Sequence, residues 1–408
     1  MAEIREFRGV RPEKDIVEQA VELPYDVVST AEAAGAAEGK PFSFFRITRS
    51  EIEFSADTDP YSPEVYKRGR ANLDKFISEG KFFQDDEPSI YLYTQIMEGR
   101  SQTGIAACVS IDDYLSGKIK KHELTREDKE KDRSTHLDIL NCNVEPVFLM
   151  YKESGAGREL FELSLKHDPE YHFTTPDGIE HIFRIIKDKE IIKRFKALLE
   201  PEDLYIADGH HRAASAARVG LSRREKNPGY TGEEEFNYFL AVIFPHDQLK
   251  IFPYNRVVKD LNGMSESEYI SALSGKFSVE KTPVKEPGAG SEICMYLNRE
   301  WYLLKPLFSV PDHPIEGLDV RILQDNILSP VLGITDPRTD KRIDFIGGIR
   351  GTAELEKLVD SGESAAAFSM YATTIEQLIR VSDTGGIMPP KSTWFEPKLR
   401  SGFVMHLL

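Results

Sequence analysis

The chain has 408 residues, a net charge of −16 at neutral pH, 40 % hydrophobic and 29 % charged residues, the make-up of a globular protein long enough for two or three domains. That excess of acid repels polyanions and disfavours a general DNA- or RNA-binding role, and no apolar run approaches the roughly 20 residues needed to cross a bilayer. The N-terminus alternates charged and apolar side chains without a signal-peptide core, so a cytoplasmic location and no membrane partner are expected.

In chain order, residues 23–28 read as a short strand-like piece carrying Tyr25 and Asp26, followed by an Ala/Gly-rich stretch to Gly39. Residues 63–77 predict a helix, with Pro63 suited to its first turn. Residues 89–97 and 104–111 are β-rich runs around a turn at residues 98–101, a hairpin pattern. A charged stretch from 118 to 133 leads into a helix over 129–140, and 145–151 is a buried strand. Residues 191–199 have helical spacing, 204–207 a short apolar strand, and 212–219 a helix that Gly220 would end. A further strand is expected at 236–244. Beyond Asp260 the texture changes: a helix at 265–273, strands at 292–297 and 301–304, a strand at 342–347 and a proline-rich closing segment at 388–398. The fold class expected is α+β with mixed sheets, divided at about 110 and 260. Cys108, Cys142 and Cys294 are widely separated and odd in number, which fits reduced, buried thiols, with Cys108 in a core strand.

Three places could carry chemistry. Asp208, Gly209, His210, His211 and Arg212 fall between an apolar strand and an Ala-rich helix. Gly209 permits a sharp turn, and the helix start, two histidines and an arginine offer donors to an anion. Asp208 could hold a metal ion or orient a hydroxyl. The bland alternative is an Asp-Gly turn with packing histidines. Zinc is disfavoured because adjacent histidines point apart and no cysteine is near. The second place is His122, Glu123, Thr125 and Arg126, where Glu123 could take a proton and Arg126 could pair with a carboxylate or phosphate, although a solvated face fits as well. The third is Lys391, Ser392 and Thr393, a cation and two hydroxyls behind two prolines, which suits anion binding or a rigid strap. No Walker loop, dinucleotide fingerprint or nucleophile elbow is present.

Taken together, the motifs at residues 23–28, 121–125, 132–133, 145–148, 206–212 and 388–393 resemble, in order and over nearly the whole chain, the bacterial family catalogued as domain of unknown function one thousand and fifteen. The middle of the chain is also similar to the ParB/sulfiredoxin superfamily, and within it to archaeal free-serine kinases. The resemblance implies a ParB/sulfiredoxin-like core over 111–260, flanked by α/β regions at 1–110 and 261–408. It makes Glu123 the catalytic carboxylate and gives the Asp208–Arg212 turn nucleotide phosphate and metal, with Mg²⁺ and ATP or ADP as phosphoryl donor. On the chemistry of their side chains, not on the resemblance, His122, Thr125, Arg126, Lys391, Ser392 and Thr393 are substrate-binding candidates. The activity it implies is phosphorylation of free L-serine, with a homo-oligomer left open. The alternatives are a ParB-like protein that binds or hydrolyses CTP or ATP, a nuclease, which the net charge disfavours, and a non-catalytic amino-acid- or phosphate-binding protein. One departure is plain: the two site motifs lie further apart than in the small archaeal enzymes, with an insertion over about 151–200.

Overall fold

The computed structural model describes residues 2–408. At its centre is the hairpin the alternation predicts. Ile90–Met97 pairs antiparallel with Arg100–Ser110, and Glu98 and Gly99 between them take φ values of 53° and 78°. Two left-handed residues in a two-residue connection match the twist of the flanking strands.

This hairpin lies inside a nine-stranded mixed sheet. From one edge the order is Ile119–Lys120, Leu204–Asp208, Val147–Tyr151, Tyr238–Pro245, Arg100–Ser110, Ile90–Met97, Glu180–Ile186 and Tyr171–Thr174, with Ile4–Arg5 paired to Arg100–Ser110. Leu204–Asp208 runs parallel to Ile119–Lys120, Tyr238–Pro245 runs parallel to Val147–Tyr151, and the other pairs are antiparallel. Every residue of Tyr238–Pro245 and Val147–Tyr151 is buried, the mark of strands covered on both faces. The core joins Ile105, Ala107, Val109, Leu149, Ile206, Phe239 and Ile243 to Ala213 and Ala217 of the helix His210–Lys226.

The chain divides into two compact units, Met1–Leu249 with Pro397–Leu408, and Lys250–Glu396. The second holds a six-stranded, wholly antiparallel sheet in the order Phe277–Lys281, Glu300–Pro306, Ile293–Leu297, Ala366–Met370, Tyr254–Val258, Ile343–Gly347. Helix Gly351–Asp360 packs Leu355 against Cys294, Tyr296 and Trp301 of this sheet. The boundaries expected at 110 and 260 do not coincide with this division. Residue 110 ends a strand paired on both sides within the first unit, and Tyr254–Val258 is a central strand of the second.

One further expectation is corrected. The helix thought to stop at Gly220 runs on to Lys226. Gly220 is there for close approach: a Cβ would lie 2.5 Å from Ile111 Cδ1 and 2.6 Å from the Phe236 carbonyl. The stretch 151–200, expected as an insertion, carries the hairpin Tyr171–Thr174 and Glu180–Ile186, which extends the large sheet beside Ile90–Met97. All three cysteines are buried and free, Cys108 in the strand Arg100–Ser110 as expected. Among the described residues no helix is long and apolar enough to cross a membrane.

Candidate functional site

The strand Leu204–Asp208 loses register with its neighbour Val147–Tyr151 between Ile206 and Asp208. Such an irregularity re-aims the last side chain of a strand. Gly209 follows at φ 94°, in the left-handed region, and His210 opens the helix. A Cβ on Gly209 would lie 2.9 Å from Arg212 Nε and 3.0 Å from its Cζ. The glycine is therefore required twice, by the turn and by the guanidinium folded back over it.

Asp208 accepts a hydrogen bond from the Gly209 amide at 2.8 Å and an ion pair from Lys398 Nζ at 3.2 Å, with Arg212 Nη2 at 3.9 Å. Burial pushes its carboxyl up, but Lys398 and Arg212 outweigh this and hold it well below the usual carboxylate range. Arg212 also donates to the Pro146 carbonyl, and its buried Nε has no hydrogen-bond partner among the described residues.

The loop carrying Glu123 closes onto this turn. The His122 amide approaches His210 Nε2 at 3.5 Å, and the Arg126 amide donates to His211 Nε2 at 3.1 Å. The His122 and His210 rings meet edge to face with centroids 4.5 Å apart. Donor atoms of His122, Glu123 and His210 lie within 4.8 Å of one another. Burial drives the His122 imidazole down to about 4 and His210 well below its ordinary value, so both rings are neutral at pH 7. As the sequence suggests, His210 and His211 point apart, one to His122 and the other to the Arg126 backbone. The Arg126 guanidinium itself is exposed and paired with Asp128, and the Thr125 hydroxyl donates to Glu130 at the start of helix Glu127–Leu140.

Behind the turn lies a buried ionic cluster drawn from segments far apart in sequence. Arg133 stacks over the Tyr25 ring at 3.9 Å and pairs with Asp132 at 2.8 Å, while Tyr66 donates to Asp132 at 2.7 Å. Glu145 accepts from the Tyr25 amide at 3.0 Å and the Ser401 hydroxyl at 2.9 Å. Burial pushes the Glu145 carboxyl up, against the pull of Arg212 and Arg133. Burial also opposes the charges of Arg212 and Arg133, but the surrounding acids and Tyr25 keep both firmly protonated. Arg133 Nη1, like Arg212 Nε, is buried without a hydrogen-bond partner among the described residues. A buried donor left unsatisfied costs about 1–3 kcal/mol.

The structure thus brings together His122, Glu123, Asp208, Gly209, His210, His211 and Arg212, with Tyr25, Asp132, Arg133 and Glu145 from the other quoted motifs. Lys391, Ser392 and Thr393 belong to the second unit. There Lys391 Nζ sits 5.7 Å over the Tyr254 ring, the Lys391 carbonyl accepts from Arg256, and the Ser392 hydroxyl donates to the Pro389 carbonyl. Lys398 and Ser401, which do reach the site, were missed by sequence reasoning. The available signal was the set of charged and hydroxyl residues at 396, 398, 400 and 401 in an otherwise apolar ending, and all four are buried. A cavity of about 380 Å³ lined by Arg5, Arg8, Lys196, Glu235 and His406 shares no residue with the cluster, and four of these pair locally: Arg5 and His406 with Glu235, and Lys196 with Glu6.

Comparison with known proteins adds the following. No curated protein sequence matches the chain significantly. A free serine kinase mutant in complex with AMP resembles it with a TM-score of 0.37 at 16 % identity, over 71 % of this chain and 87 % of that one. A C-terminally truncated SbnI from Staphylococcus aureus does so with a TM-score of 0.40 at 12 % identity, over 74 % and 87 %. The family model described as protein of unknown function (DUF1015) matches residues 4–321. The chain belongs to that family.

Proposed function

We propose that the protein is a small-molecule kinase with a ParB/sulfiredoxin-like core, passing a phosphoryl group from ATP or ADP to the hydroxyl of free L-serine to give O-phospho-L-serine. The observation that carries this reading is the meeting of two distant motifs, with a Glu123 carboxylate oxygen within 4.8 Å of a His210 ring nitrogen at the mouth of the Asp208 turn. In this reading Glu123, half-buried and open to solvent on one side, accepts the hydroxyl proton as the serine oxygen attacks phosphorus. Arg212 and the amides at the start of helix His210–Lys226 stabilise charge on the transferring group. Phosphoryl transfer is governed by positioning and electrostatics, so a carboxylate base facing a fixed cationic turn is chemically sufficient. Serine as the acceptor rests on the order and identity of the sequence motifs.

Kinase chemistry implies Mg²⁺, and Asp208 is a poor ligand for it. Its carboxylate already faces Lys398 at 3.2 Å and Arg212 at 3.9 Å, and a divalent cation there would stand against two fixed positive charges. Asp208 is better suited to holding Lys398 and Arg212 in place. The ion is supplied with the nucleotide in this account, and no residue is assigned to it.

Glu123→Gln keeps the size of the side chain and removes the base. We expect phosphoserine formation to fall at least about 100-fold while nucleotide affinity, measured by calorimetry, changes little. Full activity in this variant would remove Glu123 from the base role.

A further inference from the structure

We propose that His122, Glu123 and His210 form a binding site for a borderline divalent transition metal such as Zn²⁺, distinct from the magnesium that accompanies a nucleotide. The three donor atoms already lie within 4.8 Å of one another, so shifts on the order of an ångström bring them to ordinary coordination distances of about 2.0–2.2 Å. The two imidazoles are fixed rather than mobile. His122 is 2 % exposed and His210 6 %, their rings are locked edge to face, and the His122 ring is hydrogen-bonded to the Ile206 backbone. A backbone carbonyl oriented on a ligand imidazole is the usual outer-shell support of a metal-binding histidine.

Two ring nitrogens and one carboxylate favour Zn²⁺, Co²⁺, Ni²⁺ or Fe²⁺, whereas Mg²⁺ and Ca²⁺ prefer all-oxygen surroundings. Three protein ligands leave at least one position for water or another ligand, and Glu123 supplies both the negative charge and the opening to solvent. The pair involved is His122 with His210, which the fold brings together across 88 residues, and not the adjacent His210 and His211. Asp208 takes no part, being held by Lys398 and Arg212. A metal held at Glu123 would occupy the residue assigned above as the base, so bound Zn²⁺ should suppress phosphoryl transfer.

The test uses the full chain, stripped of metal with a chelator and titrated with Co²⁺ in the absence of nucleotide. We expect one Co²⁺ per chain with visible absorption bands, displaced by Zn²⁺, and affinity lowered more than about tenfold in both Glu123→Gln and His210→Asn. Glu123 is half-buried, so its variant remains informative even if His210→Asn fails to fold. No Co²⁺ binding at millimolar concentration, or binding of undiminished strength in Glu123→Gln, would overturn the proposal. Catalytic activity is not read, so either result leaves the kinase reading to stand or fall on its own assay.

Discussion

The two units bury different things. In the second, charge is almost absent from the interior: Arg256, Asp319 and Glu396 are its buried charged residues among those described, within an antiparallel sheet backed by the apolar face of helix Gly351–Asp360. The first buries Asp132, Glu145, His122, His210 and Lys398, with Arg133 and Arg212 nearly as deep, in one network around the Asp208 turn. Placing charges in an interior is costly and is seldom needed for stability alone. That contrast favours the first unit as the place of the proposed chemistry more than any single motif does.

The contrast can be broken by removing its centre. Asp208→Ala leaves Lys398 and Arg212 without their shared counter-charge, and we expect a loss of about 3 kcal/mol in urea denaturation of the full chain. Asp319→Asn in the second unit should change stability far less at pH 5. Similar losses in both would mean that the network is incidental. A smaller effect concerns backbone. Gly209→Ala meets both a φ of 94° and the Arg212 guanidinium, whereas Gly362→Ala, at φ 82° in the second unit, has open space for its Cβ. Both should cost about 1–2 kcal/mol for the left-handed conformation, with Gly209→Ala the more damaging and alone in abolishing phosphoserine formation.

The mildest effect is in pH. His122, His136 and His181 of the first unit are pushed from an ordinary 6.5 to about 4, 3 and 3, in each case chiefly by burial. The stability they contribute is complete above about pH 6.5 and is lost as pH falls toward those values. Burial raises Asp319 of the second unit from 3.8 to about 6. Its contribution is complete below 3.8 and is lost as pH rises through about 6. Hydrogen exchange resolved by unit should therefore show protection in the first unit weakening between pH 7 and 5, while protection around Asp319 strengthens. Parallel changes in the two would contradict the assignment of these buried groups.

Much of this was legible in local pattern. The hairpin of Ile90–Met97 and Arg100–Ser110 follows from period-two alternation around a turn, and the Pro63–Ser78 helix from its N-terminal proline. The Asp208 turn was visible because its residue types are odd at a strand-to-helix junction. Gly220 misled because a glycine used for packing looks, in sequence, like one used for stopping. The Glu145 contacts with Tyr25 and Ser401 span 120 and 256 residues, and Lys398 reaches Asp208 across 190. Pairings at such separations leave no trace in periodicity. Lys391, Ser392 and Thr393 drew notice as the more polar segment and belong to the second unit, while Lys398 and Ser401, a few residues on, belong to the first and reach Asp208 and Glu145.

The central claim is tested most directly by incubating the purified chain with Mg²⁺, ATP or ADP, and each amino acid in turn, then looking for phosphorylated product by mass spectrometry. The account predicts O-phospho-L-serine with at least one donor and nucleotide turnover that depends on serine. Turnover indifferent to serine, or none with either donor, would contradict it.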